Sequence, residues 1–219
     1  MKRLSAAVVL LTLTIVTPAG ATIIGGSVTG GTAQTAGGVF VKLTVPLANL
    51  FGAPDSVGND NFQSPNLFGF DEDQNILLAA PLTVDVGTSP IAAGTIVASH
   101  YIFFDPGPSQ HIIGTVDFDS DVLAIITGTG TLSASDFLAN TGVNYLNPGL
   151  RGLEAGDSVT ISGARQILFD TVASSPGDYV RVLTAFSPTV AVPEPGSIAL
   201  LGIGLVAALL VRRRPGSTP

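Results

Sequence analysis

Cysteine and tryptophan are missing from the 219 residues, methionine occurs once, and only nine lysines and arginines are present. Each shortage removes a class of function. Without cysteine there is no disulfide framework, no thiolate nucleophile and no cysteine-bound zinc. His100 and His111 are the only histidines, too few for a three-histidine metal site, and no H-E-x-x-H, G-x-S-x-G or P-loop pattern occurs. Eleven Phe and three Tyr without Trp make a thin supply for a sugar-stacking platform. Charged residues make up only 11% of the chain against 46% hydrophobic, which excludes an intrinsically disordered polymer.

The distribution of charge is more telling than its total. Five of the basic residues flank two apolar stretches at the ends, leaving Lys42, Arg151, Arg165 and Arg181 between them. All sixteen acidic residues lie from Asp55 to Glu194, so the interior segment carries twelve net negative charges and would repel a phosphate backbone. Nucleic acid is therefore not an expected partner. Thirteen of the sixteen are Asp, a turn and cap former, which favours a β protein with tight turns over a helical one.

Residues 1–21 have the order of a secretory signal peptide. Lys2-Arg3 is followed by an apolar run from Leu4 to Val16, the breaker Pro18, and the small-residue cleavage pattern Ala19-Gly20-Ala21, so the mature chain would begin at Thr22. The secretory translocon and signal peptidase are the implied partners. No arginine pair points to twin-arginine export, and the missing cysteine excludes lipoprotein processing.

At the other end Ile198 to Val211 is apolar throughout apart from Gly202 and Gly204, and Arg212-Arg213-Arg214 follows at once. Fourteen residues rising ~1.5 Å each span about 21 Å, so a membrane helix over 196–211 needs Gly196, Ser197 and snorkelling arginines to cross about 30 Å of hydrocarbon. The arginines mark the cytoplasmic side, which places residues 22–197 across the membrane, the side to which the leader would deliver them. The pattern Gly202-Ile203-Gly204-Leu205-Val206-Ala207 mimics a dinucleotide fingerprint, but no strand precedes it and it lies within the span.

Before this helix stands Val192-Pro193-Glu194-Pro195-Gly196, where two prolines hold an extended, exposed backbone around one carboxylate. The order of Pro193-Glu194-Pro195, apolar helix and arginine cluster resembles the PEP-CTERM sorting signal of bacterial exoproteins. That resemblance implies recognition and cutting by exosortase, a membrane-embedded enzyme resembling cysteine transpeptidases, in an envelope that makes exopolysaccharide. The tail Pro215 to Pro219 extends past the usual stop of such signals and would stay cytoplasmic.

Residues 22–190 alternate short Val, Ile, Thr and Phe runs with Gly, Pro, Asn and Asp, and no long helical period occurs. Eight strands are expected, at 40–45, 76–82, 95–104, 111–118, 122–127, 158–162, 166–172 and 179–186, with turns such as Asp105-Pro106-Gly107-Pro108 between them. This is an all-β pattern, predicting a β-sandwich or jelly roll. A helix is expected over 134–140 with Ser133 as cap and Asp136 returning the bond, and the Gly/Thr-rich stretch 25–38 reads as a flexible edge. In the run from Ser99 to Asp105, alternation puts His100, Ile102 and Phe104 on one face and Tyr101, Phe103 and Asp105 on the other. His100 there reads as a packed residue rather than a ligand.

One acidic run stands out: Asp117-Phe118-Asp119-Ser120-Asp121. Extended, its three carboxylates would share a face, which is either a solvated surface or a site for calcium, the cation that would relieve them outside the cell, although Val122 and Gly128 stand where an EF-hand requires Gly and Glu. Asp71-Glu72-Asp73 is a second cluster, either another site or the far side of the same one. The sequence thus predicts an exported protein, briefly membrane-anchored and then at the cell surface or outside it. It would serve as a non-catalytic matrix, adhesion or glycan-binding component in contact with exopolysaccharide. The alternative is a secreted carbohydrate-active enzyme on the same scaffold. No carboxylate pair identifies a catalytic acid and base.

Overall fold

The computed structural model describes residues 20–44 and 55–186, which fall within one contact unit spanning Gly20–Val190. In chain order its elements are β1 (Ile23–Gly30), α1 (Gly31–Thr35), β2 (Phe40–Lys42), β3 (Ser56–Val57), β4 (Leu67–Asp71), β5 (Ile76–Leu77), β6 (Val86–Gly87), β7 (Ile96–Phe104), β8 (Gln110–Phe118), β9 (Val122–Ile126), α2 (Thr129–Ala134), β10 (Asn144–Tyr145), β11 (Ser158–Gly163), β12 (Gln166–Ala173) and β13 (Asp178–Ala185). A four-stranded antiparallel sheet, ordered β1-β8-β12-β11, faces a seven-stranded sheet ordered β2-β4-β7-β13-β9-β6 with β5 also on β7. β3 and β10 form a separate parallel pair.

Two cores lie on the two faces of the larger sheet. Between the sheets, Ile112, Val116, Phe118, Ile167 and Phe169 meet Leu67, Ile102, Phe104, Val180 and Val182. On the opposite face, Phe68, Phe70, Tyr101, Phe103, Tyr179 and Leu183 are covered by loop and helix residues including Leu78, Leu82, Leu132 and Leu138. Burial on both faces explains why β7 and β13 read as nearly unbroken apolar runs, whereas β8 alternates. The alternation expected from His100 to Phe104 holds, with Ile102 and Phe104 in one core and Tyr101 and Phe103 in the other.

All eight expected strands form, although the runs 40–45 and 76–82 shorten to Phe40–Lys42 and Ile76–Leu77. The stretch 25–38 is not a flexible edge; it is the edge strand β1 followed by α1. Its glycine has a packing reason, since a Cβ on Gly26 would stand 2.6 Å from both the Phe40 ring and the Thr115 carbonyl oxygen. The expected helix at 134–140 also shifts: α2 ends at Ala134 and a single 3₁₀ turn occupies Asp136–Leu138. A distant residue holds the segment that leads into α2. Asp85 accepts hydrogen bonds from the backbone N–H groups of Thr127 (2.7 Å) and Gly128 (2.8 Å) and from the Thr131 hydroxyl (2.6 Å), and α2 starts at Thr129, four residues before Ser133. Burial pushes the Asp85 carboxyl up, and these three donors outweigh it and lower its pKa.

Candidate functional site

The processing residues Pro193, Glu194 and Pro195, the arginines 212–214, the expected membrane helix and Ala19 lie outside the described residues. Among the described residues no helix is long and apolar enough to cross a membrane. Ala21, the last residue of the expected leader, is described and is 2% exposed.

Next to it lies the first polar cluster. β4 ends with Asp71 opposite His100 of β7. The Asp71 carboxylate binds His100 Nδ1 at 2.8 Å through Oδ1 and Lys42 Nζ at 2.8 Å through Oδ2. It also accepts from the Ile23 N–H at 3.0 Å and the Thr22 hydroxyl at 2.7 Å. His100 Nε2 meets the Thr184 hydroxyl at 3.0 Å, and both side chains are buried. Burial raises the Asp71 carboxyl, but the His100, Lys42 and Ile23 donors overcome it and hold the pKa well below the carboxylate range. A hydroxyl, an imidazole and a carboxylate in line have the form of a nucleophilic triad. Thr184 is fully buried here, so the hydroxyl has no approach for a substrate and the trio ties β4, β7 and β13 together.

The second cluster occupies the other face of the same strands. Arg181 grips Glu72 with two bonds, Nε to Oε2 at 2.7 Å and an Nη to Oε1 at 2.9 Å, and Ser99 donates to Glu72 at 2.6 Å. The second Nη of Arg181 reaches the Ser135 hydroxyl (2.5 Å) and the Leu132 carbonyl (3.2 Å), which closes the end of α2. Asp136, expected as a helix-capping partner, instead takes a two-point bond from Arg151 at 3.0 and 2.6 Å. The Arg181 guanidinium lies 5.5 Å from the Tyr101 ring centre and 5.8 Å from that of Tyr145. Burial pushes the Tyr101 hydroxyl up to about 12 despite the nearby arginines. Two arginines buried this deeply demand paired carboxylates, and Glu72 and Asp136 supply them. Sequence reasoning missed this cluster. Its signal is Arg181 within the apolar run Tyr179-Val180-Arg181-Val182-Leu183, on the same face as Tyr179 and Leu183.

Asp117, Asp119 and Asp121 do not form a strand face. β8 ends at Phe118 and the chain turns before β9, so only Asp117 belongs to a strand. Each carboxylate has its own partner: Asp117 accepts from Gln166 at 2.7 Å, Asp119 from the Thr22 N–H at 2.8 Å and Asp121 from Arg165 at 3.0 Å. Among the described residues no three His, Asp or Glu side chains gather as a metal site. The extended face expected for calcium is not formed, because a turn separates the carboxylates. Asp71-Glu72-Asp73 is divided in the same manner, with Asp71 and Glu72 belonging to opposite clusters. The structure does bring the two acidic runs to either side of one residue, since Thr22 donates to both Asp119 and Asp71.

The surface offers shallow hollows. One of about 380 Å³ is lined by Leu78 to Thr83 with Thr131, Ala134 and Phe137, the last 59% exposed. Another, also about 380 Å³, lies beside Lys42, Leu43, Thr44, Asp71 and Asn140. His111 pairs with Asp170 at 2.7 Å on the outer side of β8 and β12.

Comparison with known proteins locates similarity at the C-terminus, where the family model of the PEP-CTERM protein-sorting motif matches residues 191–214. No curated protein and no solved structure matches the chain. The motif implies export and transient membrane anchoring before processing, with exosortase as the processing partner. Residues 191–214 thus match the PEP-CTERM protein-sorting motif, and this match supports reading the chain that carries them as an exosortase substrate.

Proposed function

We propose that this protein is a non-catalytic component of the bacterial surface or extracellular matrix, delivered through the secretory translocon, cut by signal peptidase, then cut by exosortase and left in contact with exopolysaccharide. The observation that carries the reading is the sorting motif at 191–214. The groups that would ordinarily do chemistry support it by their engagement elsewhere: His100 and Thr184 are buried in a strand clamp, and Arg151 and Arg181 are buried against carboxylates. An acidic exterior keeps such a chain soluble and repels other anionic polymers, so glycan contact would run through hydroxyls and apolar patches such as the Phe137 hollow.

Intact-mass measurement on the exported protein tests the sorting step. Cells with exosortase are expected to yield a chain that begins at Thr22 and lacks Ile198 onward, and cells without it a chain that keeps the helix. Arg212 to Arg214 retained on the released protein would overturn the reading. Co-sedimentation with exopolysaccharide from the same cells tests the matrix role, with Phe137→Ser expected to weaken it.

A further inference from the structure

The chain enters β1 with a backbone N–H held by a carboxylate from far along the sequence. Thr22 and Asp119 hold each other at two points: the Thr22 N–H donates to Asp119 Oδ1 at 2.8 Å and the Asp119 N–H donates to the Thr22 carbonyl at 3.0 Å. A carboxylate spanning 97 positions of sequence to reach one amide is a strong receptor for a weak donor. Cutting between Ala21 and Thr22 changes that donor into an α-ammonium group, with three N–H bonds and a full charge. Its surroundings are Asp119 on one side and, through the Thr22 side chain, Asp71 with Lys42 and His100 behind it. Among the described residues, Lys42 is the one lysine or arginine at this cluster to set against two carboxylates. After the cut, two cations face them. Gly20 also lies close to Gln74, whose side-chain oxygen has no partner among the described residues.

We propose that Asp119 is the receptor for the α-ammonium group created at Thr22, so that removal of the leader completes the seating of β1 on β8. The inference rests on the export reading with cutting after Ala21. It also sets an order of events. Ala21 and Ile23 are 2% and 1% exposed, so the bond to be cut is enclosed once β1 has docked. Signal peptidase acts first, on an extended segment, and the new ammonium group then finds its carboxylate.

An α-amino group of ordinary pKa about 7.7–8.0 is raised by a neighbouring carboxylate. Its contribution to stability is complete below that ordinary value and is lost as pH rises through the raised one. The test uses the mature exported protein, its N-terminus read by mass spectrometry, in four forms: unaltered, Asp119→Asn, an extra serine inserted between Ala21 and Thr22, and both changes. Asparagine keeps an acceptor for Thr22 and removes only the charge, while the added serine moves the ammonium group away. At pH 7, Asp119→Asn is expected to lower Tm by about 2–4 °C in the unaltered background and by less than about 1 °C in the serine background. NMR titration of the Thr22 amine should give a raised pKa that Asp119→Asn returns to the ordinary range. Equal Tm losses in both backgrounds, or an ordinary amine pKa, overturn the proposal while leaving the cut intact. A mature N-terminus elsewhere than Thr22 overturns the cutting site and the proposal together.

Discussion

The two faces of the β4-β7-β13 sheet bury charge in opposite manners. On the face toward the covering loops, Arg181 and Arg151 are enclosed with Glu72 and Asp136, and aromatic rings of Tyr101 and Tyr145 pack over the guanidinium groups. On the face toward the second sheet, Asp71 leads from buried His100 outward to Lys42, whose side chain is 38% exposed. The first cluster is closed and its energy depends on complete pairing. The second is open at one end, where the Lys42 and Asp71 side chains reach the surface. A closed ion cluster is costly to break and an open one is adjustable.

The largest expected effect comes from breaking the closed cluster. Arg181→Ala leaves Glu72 charged, buried and without its main partner, which costs about 3–5 kcal/mol. Thermal unfolding should show Tm falling by roughly 6–20 °C. Replacing Arg181 and Glu72 together with Met and Gln should recover more than half of that loss. A double variant as unstable as the single one would show that packing on Tyr101 and Tyr145, rather than charge pairing, holds this face.

Next in size is the pH dependence of carboxyls buried without any cation. Burial pushes Asp105 up to about 7, aided by Asp60 and opposed by backbone N–H donors of Phe62 and Asn61. Burial likewise pushes Asp178 up to about 7, with Asp157 and Glu154 adding to it and Thr171 opposing. Since the folded state favours the protonated form, their contribution is complete below about pH 3.8 and is lost as pH rises through about 7. Chemical denaturation should therefore find the protein less stable at pH 8 than at pH 5 by about 2–4 kcal/mol per group. Asp105→Asn should remove its share of that slope; an unchanged slope would mean that Asp105 is ionised in the fold.

The open cluster should respond less. Asp71→Asn keeps the shape and one acceptor but weakens the bonds to His100 and Lys42, a loss of about 1–2 kcal/mol at pH 7. Because the folded pKa of Asp71 is lowered, that contribution is present above about pH 3.8 and disappears as pH falls below it, opposite in sign to Asp105. A loss equal to that of Arg181→Ala would erase the distinction between the two faces.

Smallest of all is the turn after β8. Asp121 and Arg165 are 63% and 62% exposed, so Arg165→Ala should change stability by less than about 0.5 kcal/mol. Millimolar calcium at fixed ionic strength should leave Tm within about 1 °C, because Asp117, Asp119 and Asp121 are engaged singly. A calcium-specific rise would show that the turn can rearrange into a site.

Legibility in the sequence followed the length of the repeating pattern. Nine-residue β7 and β8 could be placed from periodicity, and the faces of His100 to Phe104 with them. The two-residue strands β3, β6 and β10 have no period to read. β1 and β4 were hidden by glycines that read as loop; at Gly26 the glycine is required by contact, since a Cβ there would lie 2.6 Å from the Thr115 carbonyl oxygen. The approach to α2 is held by Asp85, more than forty positions away, a contact that no local rule reports. The sorting motif was the most legible part, since its three elements are contiguous. The buried cluster was the least, since Glu72, Asp136, Arg151 and Arg181 come from four separate segments.

The central position of β13 between β7 and β9 has a consequence for the timing of export. The last strand among the described residues is inserted between two earlier ones, so neither core can close until residues 178–185 have arrived. The sorting motif begins only six residues after that strand ends. For a chain exported N-terminus first, the sheet thus stays unfinished until just before the sorting motif follows. The pause at the membrane is the first interval in which the whole domain is present to fold, and anchoring there keeps an unfinished β-sheet with open strand edges from diffusing into contact with others of its kind.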